Sequence, residues 1–221
     1  MEWLAKFVDI ILHLNLYVGQ LADSYGPWIY ALLFVIIFSE TGLVVTPFLP
    51  GDALLFAVGT LTTTNGPLNL AIILVLLTVA GILGHMTNYW IGNKIGQKLF
   101  RNPQSRIFNQ KHLEQTHAFY ERHGAKTIML SRFIPLIRTF APFVAGMGSM
   151  SYRQFFAYNV IGAIVWVFGV VLLGHFFGNI PSVQKNFSFV ILAIIIVSMI
   201  PPGVEIVRGW LSQKGGNGVS A

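Results

Sequence analysis

Four charged residues sit in stretches that are otherwise apolar: Glu40 and Asp52 bound the segment ETGLVVTPFLPGD, and Arg132 and Arg138 lie in SRFIPLIRTFAPFVAG. At bilayer depth each ionised group costs about 2.5 to 3.5 kcal/mol on insertion scales, so four unpaired ones would oppose insertion by on the order of 10 kcal/mol. They are therefore expected to converge as a neutral cluster of two acids and two arginines in a hydrated cavity. A guanidinium offers a planar set of donors to a phosphate and keeps its charge when partly desolvated, which makes Arg132 and Arg138 candidate phosphate-binding residues. Burial and nearby arginines act in opposite directions on the proton affinity of a carboxylate, so Glu40 and Asp52 are candidate proton-coupling residues. The plainer alternative is that the four charges only lock two segments together. A buried ion pair is weak evidence of stabilisation, however, and ionisable groups within a membrane default to function.

The elements that must position these residues follow from composition. Of the 221 residues, 54% are hydrophobic and 10% charged, against roughly 25% charged in a soluble domain. Three stretches are long enough to cross a hydrocarbon core of ~30 Å as helices: 68–93, 154–178 and 187–210, the last with Pro201 and Pro202 as a kink. Two others, 27–62 and 126–150, are apolar but broken in the middle by Pro47, Pro50 and Gly51, and by Pro135, Pro142, Gly146 and Gly148. Short arms with helix breakers at the apex predict re-entrant hairpins. The chain thus reads as an all-α polytopic membrane protein built from an inverted repeat of hairpin plus transmembrane helix, with a site near the midplane. Residues 1–25 are expected as an extra interfacial helix, with Trp3, Leu4, Phe7, Val8, Ile11, Leu14 and Val18 at helical spacing. The span 187–210 is then the extra C-terminal helix. One membrane domain, 1–213, is followed by a Gly-rich flexible tail, 214–221.

Seven of the fourteen Lys and Arg residues lie between Lys94 and Lys126. Such clustering marks segment 94–125 as a cytoplasmic loop carrying an amphipathic helix, and counting spans from it puts the C-terminus on the same side. The net charge of +6 is explained by this topology and gives no reason to expect nucleic acid. There are no cysteines, which removes disulfides, thiolate metal sites and cysteine nucleophiles. Glu114, His117 and Glu121 share a helical face and can in principle ligate a divalent ion, but a solvated surface helix accounts for them. No cofactor, metal site or catalytic residue is expected, and a homo-oligomer is compatible with the sequence.

The segments at Glu40 and Ser131, together with HGAKTIMLSRFIPLIRTFAPFVAGMGSMSYRQFFAYNVIGAIVW, resemble the signatures of the DedA family, which is related to the eukaryotic VTT-domain lipid scramblases. The resemblance covers nearly the whole chain. It implies a bacterial inner-membrane protein with facing re-entrant hairpins, dependent on the proton motive force, in which the positions of Glu40, Asp52, Arg132 and Arg138 are required. It also implies transport of an anionic lipid, with undecaprenyl phosphate first among the candidates, through a flippase or translocase. A phospholipid flippase or scramblase acting on a lipid such as phosphatidylethanolamine, a proton-coupled ion antiporter and a lipid phosphatase remain as alternatives. The phosphatase requires a histidine where this chain has Arg138. One departure is His85 after Gly84, where relatives commonly carry an acid. His85 either titrates or packs with Asn88 and Tyr89, and these three are possible accessory site residues.

Overall fold

The computed structural model describes residues 6, 9–43, 51–63, 66–99, 120, 123–178, 180–194 and 196, and among these the regular structure is entirely helical. Helix α1 (Leu14–Tyr25) ends at Gly26, whose φ of 51° reverses the chain, and Pro27 leads directly into α2 (Trp28–Gly42). Helix α3 (Gly51–Thr60) follows. Its 10 residues span about 15 Å and the 15 of α2 about 22 Å at 1.5 Å per residue, so neither arm crosses a hydrocarbon core. Helix α4 (Leu70–Leu99) starts at Asn69, whose side-chain oxygen accepts the Ile72 amide at 3.1 Å as an N-cap.

The second broken region is a series of short turns. A 3₁₀ turn (Gly124–Lys126) leads to α5 (Thr127–Leu130), a second 3₁₀ turn (Ser131–Phe133) and then α6 (Pro135–Val144), which widens into a π-helical stretch (Ala145–Ser149). Gly148, at φ 119°, closes that stretch in a conformation an L side chain rarely adopts. The long helix α7 (Tyr152–Phe177), the short α8 (Pro181–Lys185) and a helix beginning at 187 complete the order.

Two helices, α4 over Leu70–Lys94 and α7 over Tyr152–Phe177, are apolar and long enough to cross a membrane. Expected and observed boundaries differ slightly. The sequence predicts the first span at 68–93, ahead of the basic segment that begins at Lys94, yet α4 runs on to Leu99, with Lys94 over the Trp90 ring at 5.6 Å from its centroid. A helix has no reason to stop at the membrane surface, where lysines extend along it to reach water. The third expected span is described only at 187–194 and 196, where it is helical. Pro47, Pro50, Pro201 and Pro202, the tail from 214, and Glu114, His117 and Glu121 lie outside the described residues.

Packing follows a crossed pattern. The first arm of each broken region lies on the long helix of its own half (α2 on α4, α5 on α7), and the second arm lies on the long helix of the other half (α3 on α7, α6 and the π stretch on α4). Glycines make all four crossings close. A Cβ on Gly84 would strike Thr41 and the Phe38 carbonyl, and one on Gly162 would meet Met129. On the crossed side, a Cβ on Gly59 would strike the Val171 carbonyl, on Gly174 that of Phe56, on Gly92 that of Phe143 and on Gly146 that of Tyr89. Small residues permit such backbone approach between helices in lipid, where apolar burial alone gives little driving force. The outer faces carry large apolar residues, including Ile72, Val75, Val79 and Leu83 on α4 and Phe156, Val165, Leu173 and Phe176 on α7, as lipid contact requires. Helix α1 buries Leu14, Val18 and Ala22, at four-residue spacing, mainly against α3.

Candidate functional site

The two acids reach the same place from the two ends of one break. Glu40 lies in the last turn of α2, where the helix dipole disfavours a negative charge and a cation is needed; Asp52 lies in the first turn of α3, where the dipole favours it. Gly51 abuts the Glu40 carboxylate so closely that a Cβ there has no room. Its role is thus close approach at the start of α3, beyond the break itself.

The two arginines are six residues apart, and in one unbroken helix their side chains would point about 120° apart. A break brings them together. Ile134 is extended (φ −122°, ψ 103°) ahead of Pro135, which opens α6, so Arg132 belongs to the 3₁₀ turn and Arg138 to the helix. Both guanidinium carbons then lie against the Trp166 ring of α7, at 5.6 Å for Arg132 and 5.3 Å for Arg138.

Within the cluster the two arginines are bonded differently. Arg138 takes both acids, donating from Nη2 to Glu40 Oε1 at 2.5 Å and from Nη1 to Asp52 Oδ1 at 3.2 Å. The same Asp52 oxygen accepts the Trp166 indole N–H at 2.6 Å. Arg132 is bonded by no described carboxylate. Its Nη2 donates to Asn159 Oδ1 at 2.7 Å and to the Gly81 carbonyl at 3.1 Å, and Asn159 is itself fixed by donating to the Ile82 carbonyl. Glu40, Arg132, Arg138, Asn159 and Trp166 are all at least 95% buried, while the Asp52 side chain keeps 20% of its surface accessible.

Near the second break, side chains satisfy carbonyls where the helix is irregular. Asn88 Nδ2 donates to the Thr139 carbonyl at 2.7 Å, the Tyr120 hydroxyl to that of Ala141 at 2.8 Å, and Asn93 Nδ2 to that of Gly146 at 3.1 Å. Pro142 therefore does not end α6, as a breaker at an apex was expected to do. It lies inside the helix and removes one backbone donor, and neighbouring helices re-satisfy the distorted stretch. Tyr89 donates to the Met150 carbonyl at 3.2 Å and stacks on Phe155 with centroids 4.4 Å apart. Asn88 and Tyr89 thus hold the second region in place without touching the charges. His85 does approach them: it is fully buried beside Asn159, in the field of both guanidinium groups.

The profile of the VTT domain matches residues 49–176. Protein DedA of Escherichia coli is 53% identical over 209 residues, covering 94% of this chain and 95% of that protein. The chain belongs to the DedA family. An uncharacterized membrane protein of Mycobacterium leprae is 42% identical over 81% of this chain and 80% of its own. Inner membrane protein YqjA of E. coli is 34% identical over 71% of each. No solved structure matches.

In this DedA-family membrane protein the sequence reading missed Asn159, Trp166 and Gly81. Asn159 carried a usable signal, because an amide within an otherwise apolar span asks for a partner. Trp166 read as one more apolar residue, and Gly81 contributes only its carbonyl, which no sequence pattern reveals. Among the described residues no group of three or more His, Asp or Glu side chains is placed to hold a metal.

Proposed function

We propose that this protein carries an anionic lipid phosphate across the bilayer, with undecaprenyl phosphate as the foremost candidate and protons as the coupling ion. The observation that supports this most is the pair of buried guanidinium groups on one indole, of which, among the described residues, only one is bonded by carboxylates. An ion lock needs no second, acid-free arginine, and a cation site has no use for either. A phosphate headgroup uses both.

In this reading the carboxylates and the phosphate compete for Arg138. Protonation of Glu40 or Asp52 loosens their joint hold on the guanidinium and admits the headgroup, and departure of the headgroup returns it to the acids. Moving one negative charge against the membrane potential costs roughly 2.3 kcal/mol per 100 mV, which one accompanying proton cancels. The crossed packing of two short-armed breaks on two long helices fits an inverted repeat whose halves rock about a central site. The hairpin tips then dip in from opposite faces, the basic segment lies in the cytoplasm, and the membrane is the bacterial inner membrane. The protein acts as a transporter and performs no covalent chemistry.

The test is leaflet exchange in proteoliposomes of a labelled polyprenyl phosphate, run beside a labelled phosphatidylethanolamine, with and without an imposed proton gradient. Exchange of the polyprenyl phosphate, accelerated by the gradient, is expected. Exchange of the phospholipid alone moves the assignment to a phospholipid flippase, release of inorganic phosphate makes the protein a phosphatase, and absence of any exchange removes the lipid-carrier reading.

A further inference from the structure

We propose that the two arginines have separate jobs: Arg132 is the standing seat of the phosphate, and Arg138 is a latch that the acids hold shut and that closes onto the phosphate only when they let go. This rests on the lipid-phosphate reading above and deepens it.

Arg132 is anchored and uncommitted. It is completely buried, and its Nη2 is held by two neutral acceptors from the two long helices, Asn159 of α7 and Gly81 of α4. Its Nε and Nη1 have no hydrogen-bond partner among the described residues. Glycine packs against it on both sides. A Cβ on Gly81 would lie 3.3 Å from Nη1, and one on Gly162 would lie 3.3 Å from Nε. Neutral dipoles hold the side chain in place without cancelling its charge, so the charge is left for an anion.

Arg138 is the reverse. Both terminal nitrogens are committed to carboxylates. Pro142 lies four residues on and lacks the amide that would bond the Arg138 carbonyl, and the π stretch follows. Asp52 need not move when Arg138 leaves, because the Trp166 indole N–H holds the same oxygen. The charged and titratable groups around the latch are Glu40 from α2, Asp52 from α3, His85 from α4 and Arg132 from the same hairpin. With both acids ionised, Arg138 and its partners sum to one negative charge, which repels a phosphate from Arg132. Protonation of one acid removes that negative charge, so binding of phosphate takes up a proton and tightens as pH falls.

The experiment uses the full chain in lipid nanodiscs, with decyl phosphate and inorganic phosphate as separate probes in calorimetric titrations over a range of pH. Wild type is expected to bind decyl phosphate more tightly at lower pH. Arg132→Lys should weaken binding by on the order of tenfold or more at every pH. Arg138→Lys should weaken it mainly at low pH and flatten the pH dependence. The double variant Glu40→Gln with Asp52→Asn keeps the shape of both side chains and should bind at high pH as tightly as wild type does at low pH; it carries the test if an arginine variant fails to fold. Equal losses from the two arginines with the pH dependence intact, or no gain in the double variant, overturns the division of labour. Wild type that binds neither probe overturns this proposal and the lipid-phosphate reading together. Equal binding of both probes with the predicted asymmetry keeps the latch and gives the seat to free phosphate, which removes the lipid reading alone.

Discussion

The second arms of the two broken regions do the same architectural job by different means. Helix α3 is a regular ten-residue helix, and all of it except Asp52 is buried. Helix α6 is also ten residues, but it contains a proline, widens into π geometry, and has three carbonyls in and beside it bonded by side chains from elsewhere in the chain. Regular helices are stiff, and π segments and proline sites are where helices bend. The arm bearing acid is therefore the fixed member of the site and the arm bearing arginine the adjustable one. A device that swaps an arginine between carboxylate and phosphate needs one side that yields.

The largest effect on this contrast should come from Arg138→Ala, which strands the buried Glu40 and the partly accessible Asp52. Removing one partner of a buried ionic group destabilises by about 3 to 5 kcal/mol, and Glu40→Gln should cost clearly less, because Arg138 keeps Asp52. Thermal unfolding midpoints in detergent, followed by intrinsic tryptophan fluorescence, separate the two. If Arg138→Ala is as mild as Glu40→Gln, the acids are already neutral in the resting protein and the arginine is not their counter-charge.

A smaller effect tests stiffness directly. Gly59 and Gly146 both face a backbone carbonyl that a Cβ would strike, of Val171 and Tyr89 respectively. Gly59→Ala forces apart two regular helices and is expected to cost about 3 kcal/mol, the upper end for overpacking, whereas Gly146→Ala sits in a stretch that can shift and is expected to cost about 1 kcal/mol. The same unfolding assay reads both. Equal losses would mean that the π stretch is as rigid as α3, and the contrast between the arms fails.

Much of this is legible in the sequence. Charges within apolar stretches have few places to go, so Glu40, Asp52, Arg132 and Arg138 declared themselves, and α4 and α7 followed from length and hydropathy. The partition among the four charges was not legible. It depends on the extended Ile134 before Pro135, which turns the two arginines toward one point, and on Trp166, which lies 114 residues from the Asp52 it bonds. A proline in a sequence signals a break, but whether the helix resumes through it, as at Pro142, is set by packing that the local sequence does not show. Crossed packing was hidden for a similar reason: each glycine is visible, but the carbonyl it meets belongs to a distant segment.

Asn88→Ala gives the smallest and most local test. Its amide holds the Thr139 carbonyl one residue beyond Arg138, and both groups are buried. Losing that donor removes one buried hydrogen bond, worth about 0.5 to 1.5 kcal/mol net, and the low end is expected because an irregular helix can adjust around the change. The discriminating measurement is hydrogen exchange by mass spectrometry. Peptides covering 135–149 should exchange faster in the variant, while those covering 51–60 keep wild-type rates. An unchanged pattern would mean that the Asn88 bond is incidental to the arginine arm, and uniform acceleration of both arms would mean that they open as one unit, with no adjustable side to yield the arginine.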